Sequence, residues 1–161
     1  MILTIYMSMF LVLACVDMGL KQYIEDTFEE NEERETKLPG LVFRKNYNKG
    51  FAFNVLENAP GIIRKSSVFS AAGILLYDCW IFSRKKRPAG KLGMTLVSAG
   101  AVSNLYDRLF RRKVIDYIGF RNKREYFSKL TANLADVYLT AGAVLCGLSE
   151  MAYKRKIAKR K

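Results

Sequence analysis

Two short polar motifs carry the residue types that acid–base hydrolysis needs. Asn104-Leu-Tyr-Asp107-Arg108 is followed by Val114-Ile-Asp116, and Asn133-Leu-Ala-Asp136 lies further along the chain. Two carboxylates held close cannot both ionise readily, so Asp116 and Asp136, brought together, would share one proton. The ionised member takes a proton from a water that attacks a peptide carbonyl. The protonated member donates a hydrogen bond to the carbonyl oxygen and then helps the amine depart. Such chemistry needs no metal, cofactor or covalent intermediate. On a helix, Asn104 shares a face with Asp107 and with Arg108. An amide, a carboxylate and a guanidinium so placed can hold one carboxyl group in a fixed pose, or simply anchor a helix end. Asn133 suits the cap of a helix whose first turn holds Asp136, where the helix dipole favours an anion. Asp17 and Lys21, four apart, suit a salt link closing the end of a first helix rather than a catalytic role.

Absences narrow the chemistry further. The sequence has no His, which excludes Ser-His-Asp and Cys-His nucleophiles and zinc sites built on imidazole. Cys15, Cys79 and Cys146 sit in separate apolar runs without metal-ligand spacing, so neither disulfides nor metal are expected. Lys and Arg number 27 against 15 Asp and Glu, a formal charge of +12. That balance suits nucleic acid, an anionic membrane or an acidic partner. The basic groups cluster at the ends of apolar runs rather than among stacking aromatics, which argues against nucleic acid.

The elements that must position these residues are apolar. Ile2 to Val16 and Leu92 to Tyr106 carry no charge; Ser66 to Ser83 contains only Asp78; Leu130 to Ala152 contains Asp136 and Glu150. A membrane span needs ~20 predominantly apolar residues. Helices of a soluble bundle would show a charged face every few positions, and these windows lack one. The expectation is a mainly α, integral membrane protein of a single domain over 1–161, with spans at about 2–22, 64–83, 91–109 and 131–153. Arg84 to Lys91 and Lys154 to Lys161 read as cytoplasmic, placing both termini inside. The basic connection from Arg108 to Lys129 then falls outside, against the rule; its cations suit an anionic lipid surface. The acidic stretch from Glu25 to Glu35 also lies outside. A cleaved signal peptide at the start, hinted at by Val12-Leu-Ala-Cys15, lacks its basic n-region. Residues 38–57 interleave aromatic and β-branched residues with polar ones and read as a small extracytoplasmic β region.

Taken in order, the motifs resemble those of the lipoprotein signal peptidase (signal peptidase II) family. Asp17 and Lys21 match an Asp and a Lys at the outer end of its first span. Asn48, Gly50, Ala52 and Phe53 match its Asn-x-Gly-x-Ala-Phe segment. Asn104, Asp107 and Arg108 match Gly-Asn-x-x-Asp-Arg, with a catalytic position following at Asp116. Asn133, Ala135 and Asp136 match Asn-x-Ala-Asp, the last being the second catalytic position. The resemblance implies an aspartic endopeptidase of the bacterial cytoplasmic membrane. It would remove signal peptides from lipid-modified prolipoproteins by cutting before the diacylglyceryl cysteine, near the outer face. Expected partners are that substrate and membrane lipids, with no nucleic acid, no cofactor and a monomeric chain. Ser103, Phe51 and Thr131-Ala132 depart from the family pattern, and Asp78 stands outside it. A membrane transporter or channel is the rival reading, since intramembrane carboxylates can mark ion paths.

Overall fold

The computed structural model describes residues 2–30, 32–50, 58–121 and 130–159. Four long helices and a four-stranded antiparallel sheet make up this part of the chain. Helix α1 is Ile2–Thr27, α2 is Pro60–Ser83, α3 is Pro88–Tyr106 and α4 is Leu134–Ala158. Pro60 and Pro88 stand at helix starts, where a missing N–H costs nothing and the fixed φ suits the first turn.

Large apolar side chains cover the outside of this bundle. Ile2, Leu3, Ile5, Leu11 and Val12 on α1, Phe69, Leu75 and Leu76 on α2, and Val144, Leu148 and Met151 on α4 are all exposed. In water so extensive an apolar surface would drive association; against hydrocarbon it is the natural exterior. By length and composition α1, α2 and α4 can each cross a membrane. The third expected span, 91–109, corresponds to α3. This helix packs against the other three, and Thr95, Ser98, Ser103 and Asn104 within it are buried. With one side packed against the other helices and Leu92, Val102 and Tyr106 exposed on the other, it needs no continuous apolar surface. Its 19 residues extend ~28 Å, close to the hydrocarbon thickness of a bilayer.

Close approach of α3 and α4 depends on glycine. A Cβ on Gly142 would lie 2.5 Å from the carbonyl oxygen of Gly93, and one on Gly93 would lie 2.8 Å from that of Gly142. Small residues allow the two backbones to touch, which supplies van der Waals contact that lipid cannot. The register of Asn104 against the start of α4 follows from that contact.

The sheet has the order β1-β2-β3-β4, with β1 at Glu33–Glu35, β2 at Leu41–Asn48, β3 at Val114–Phe120 and β4 at Thr131–Ala132. Only β2 lies in the expected β region of 38–57, of which residues 51–57 fall outside the described part. The expectation missed β3. The connection after Arg108 contains this strand, in which Val114, Ile115 and Tyr117 are buried and which pairs antiparallel with β2. Ile115 and Tyr117 form a small core with Ile24 and Phe28 from the end of α1. Asp116 is therefore a strand residue, not the end of a span.

The acidic stretch is folded back on this sheet. Glu25 reaches Lys45 and Lys113, Glu33 pairs with Arg44 and Arg121, and Glu35 meets Arg121 at 2.5 Å. Its charge neutralises the basic strands beside it. Between α3 and β3 the chain makes a π-helical turn, Asp107–Arg111, which ends at Arg112 with φ of 61°.

Candidate active site

Asp116 stands in the middle of β3, opposite Asn46 of β2, and is 3% exposed. Its Oδ1 accepts a hydrogen bond from Asn133 Nδ2 at 2.7 Å, and its Oδ2 accepts one from Asn48 Nδ2 at 3.3 Å. Asp136 occupies the first turn of α4. Asn133 caps that helix: its side chain accepts from the Asp136 N–H at 3.0 Å, while Asp136 Oδ2 accepts from the Asn133 N–H at 3.2 Å. One amide therefore touches both acids. Its NH2 group faces Asp116 and its oxygen faces the backbone of Asp136.

Burial pushes the Asp116 carboxyl up to about 7, and the negative charge of Asp136 adds to the rise. Hydrogen bonds from Asn48 and Asn133 act in the opposite direction and are outweighed. A carboxyl group raised that far is still substantially protonated close to neutral pH and can donate its proton.

Asp136 is held from its other side by α3. Asn104 Nδ2 donates to Asp136 Oδ1 at 3.0 Å, and Asn104 Oδ1 accepts from Lys21 Nζ at 2.7 Å. The ammonium group determines which way the amide faces, so the amide can only present its NH2 to the acid. Lys21 is fully buried and also meets Asp17 at 2.9 Å and Asp107 at 3.0 Å. Asp17 in turn accepts from the Ala135 N–H at 3.2 Å. The expected salt link at the end of α1 is present, but it is the centre of a buried network reaching α3 and the start of α4.

The remaining residues singled out by the sequence serve this same region. Asp107 accepts from Arg111 Nη1 at 2.6 Å and from the Ile115 N–H at 3.4 Å, joining the π turn to β3. The Gly50 N–H donates to Asn48 Oδ1 at 3.0 Å, which orients the Asn48 amide toward Asp116. Arg108 Nη2 donates to the Gly50 carbonyl at 3.4 Å, and its positive charge also interacts with Asp136, Asp116 and Asp107. Ala135 is fully buried under α3, beside Gly100. Ala52, Phe53 and Phe51 lie outside the described residues.

Sequence reasoning missed three contributors. Tyr117 donates to Asp17 Oδ1 at 2.8 Å and accepts from the Leu134 N–H at 3.0 Å. Ser103 donates to Asp17 Oδ2 at 2.5 Å and accepts from Lys21 at 3.2 Å. Thr131 Oγ1 lies 3.5 Å from Asp116 Oδ2 and accepts from Asn46 at 2.9 Å. Ser103 and Thr131 were visible only as departures from a pattern. Tyr117 had a usable signal, since strand alternation turns it to the opposite face from Asp116. With Tyr117, Asp17 and Asn133 as acceptors, the Leu134, Ala135 and Asp136 N–H groups at the start of α4 are all satisfied.

Among the described residues no group of His, Cys, Asp and Glu could hold a metal ion, and the cysteines are free thiols. Asp78 accepts from Ser98 Oγ at 2.5 Å, joining α2 to α3 in the interior of the bundle.

The sequence model of signal peptidase II matches residues 9–152. The chain belongs to the signal peptidase II family, a family of peptidases. Relatives named lipoprotein signal peptidase show how far the match extends. That of Sinorhizobium fredii is 31% identical over 151 residues, covering 92% of this chain and 88% of the relative. That of Fusobacterium nucleatum is 30% identical, covering 94% and 89%. That of Cellvibrio japonicus is 34% identical, covering 87% and 81%. Two solved bacterial membrane enzyme structures, determined by the in meso method, share the fold. Their TM-scores are 0.79 and 0.75 at 21% and 19% identity, covering 98% and 91% of this chain and 92% of each structure's chain.

Proposed function

We propose that this protein is an aspartic endopeptidase of the bacterial cytoplasmic membrane that removes signal peptides from lipid-modified prolipoproteins. The cut falls before the diacylglyceryl-modified cysteine. Family membership supports the peptidase activity, and the relatives' name, lipoprotein signal peptidase, supports the substrate. One observation carries the catalytic assignment: Asn133 touches both carboxyl groups, its side chain donating to the buried Asp116 and its N–H to the half-buried Asp136, and burial raises the Asp116 carboxyl to about 7.

On this reading Asp136 is the general base. It removes a proton from the attacking water while Asp116 polarises the scissile carbonyl through its O–H. As the tetrahedral intermediate collapses, the proton passes to the leaving amine and the pair returns to its singly protonated form. Asn104, Asn48 and Asn133 position the acids, and Lys21, Asp17 and Asp107 support Asn104. Both termini are cytoplasmic and the acids sit near the outer face, because the cationic residues 84–91 and 154–159 lie at the opposite end of the helices. A monomer contains every group used.

The test is cleavage of a diacylglyceryl-modified precursor by Asp116→Asn and Asp136→Asn chains in membranes. Each is expected to remain folded and to lose roughly a hundred- to ten-thousandfold in rate, the scale of a removed acid–base group. Full activity in both variants would remove the assignment. A transport role finds little footing, since Asp78 is an isolated mid-bundle carboxyl already bonded to Ser98.

A further inference from the structure

Three cations of the basic outer connection, Arg108, Arg112 and Lys113, are brought by the fold to one pocket with Lys49 and Arg64. Lys49 follows β2, Arg64 lies in the second turn of α2, Arg108 is in the π turn, and Arg112 and Lys113 precede β3. With Asn48 they line a pocket of about 140 Å³ that has no carboxylate among its described lining residues. Among the described residues, Lys49, Arg64 and Arg112 form no ion pair; Lys113 reaches Glu25 at 3.4 Å and lies 3.3 Å over the Tyr47 ring. Arg112 adopts the left-handed backbone that a side chain of its size rarely takes. The start of α2 forms another wall, its N-terminus carrying no side-chain cap. Lys49, Arg64 and Arg112, the cations here without an ion pair among the described residues, repel each other across this small space less when an anion sits among them.

We propose that this pocket binds the phosphate group of an anionic phospholipid headgroup from the outer leaflet. Its surroundings favour a lipid over a free anion. A neighbouring cavity of about 320 Å³ shares Arg64 and is lined by Val68, Phe69 and Leu109, leading from the cations along the exposed apolar face of α2. A phosphate held by Arg64, Arg112 and Lys49 thus has a path for its acyl chains down the side of the helix. The pocket also abuts the candidate active site. Asn48 lines it and donates to Asp116, and Arg108 lines it and donates to Gly50. A bound headgroup would hold this edge of the site in place.

The binding claim rests on the membrane reading but not on the catalytic one, so it is tested without an activity readout. The full chain in a neutral detergent is titrated with short-chain phosphatidylglycerol, phosphatidylcholine or inorganic phosphate, and binding is followed by native mass spectrometry and calorimetry. One phosphatidylglycerol is expected to bind saturably, about tenfold or more tighter than phosphatidylcholine. The Arg64→Gln/Arg112→Gln chain should bind it about thirtyfold more weakly, each cation near a lipid surface being worth ~1 kcal/mol. Its far-ultraviolet circular dichroism and melting temperature should match the parent's. Lys85→Gln/Lys86→Gln removes the same charge at the opposite end of the molecule and should leave binding unchanged. Equal affinity for the two lipids, or equal loss in both double variants, would overturn the site. Binding of inorganic phosphate without phosphatidylglycerol would overturn the lipid as its occupant.

Discussion

Burial beside a second acid raises the Asp116 carboxyl, and on the proposed mechanism its titration should govern the pH dependence of the reaction. Its carboxyl is raised from the ordinary 3.8 to about 7. Hydrolysis of a lipidated precursor should therefore fall as pH rises through about 7, when the shared proton is lost. The same shift has a sign for stability. Between about pH 4 and 7 the unfolded chain releases a proton that the folded chain retains, so stability from this group declines across that window as pH rises. A melting series in detergent checks the second effect, and an initial-rate profile the first. Asn104 gives a separate test. Asn104→Ala removes the donor to Asp136 and an acceptor of Lys21, and hydrogen bonds to charged groups are worth ~1.5–3 kcal/mol. A loss of roughly ten- to a hundredfold in kcat is expected, with a smaller change in KM.

At the scale of the elements, three regions distant in sequence meet around one buried lysine and its partner Asp17. Lys21 from α1 holds Asn104 of α3 and Asp107 of the π turn, and its partner Asp17 holds the start of α4. Lys21→Met would leave Asp17 and Asp107 as buried carboxylates without their shared cation, a change that typically costs ~3–5 kcal/mol. Thermal unfolding in detergent should show a large drop, accompanied by loss of activity. Gly142→Val tests the other half of the arrangement. Its Cβ would meet the Gly93 carbonyl at 2.5 Å and force α3 from α4. Overpacking of that kind costs ~1–3 kcal/mol and would also separate Asn104 from Asp136. Activity should fall further than stability, because the hydrogen bond between them has little tolerance in length.

As a whole molecule the protein places charge at its two ends and apolar surface between them. Chain expressed in bacteria should remain with the membrane after washing in high salt or alkaline carbonate and should require detergent for extraction. Release by either wash would contradict the spanning arrangement. The outward apolar residues of α1, α2 and α4 leave α3 as the internal helix, which explains why a segment with buried Ser, Thr and Asn can hold the centre of a membrane bundle.

Much of this was legible in the residues alone. Four apolar windows without a polar face became four helices because periodicity and charge exclusion are local properties of the chain. Asn133 declared itself as a cap by its position three residues before Asp136. The two acids were expected as a pair from their motifs, and Asn133 contacts both of them. Tertiary structure decided the rest. That β3 is a strand buried on both faces depends on α1 and β2 covering it, and a short apolar run does not record its cover. Likewise, Lys21 became the support of Asn104 rather than a simple closure of α1 because α3 and the π turn bring a carboxylate and an amide to it. Those partners lie more than eighty residues away in sequence. Spacing along one helix reports only the neighbours on that helix, whereas the protonation and aim of a buried acid are determined by the groups that other elements deliver to it.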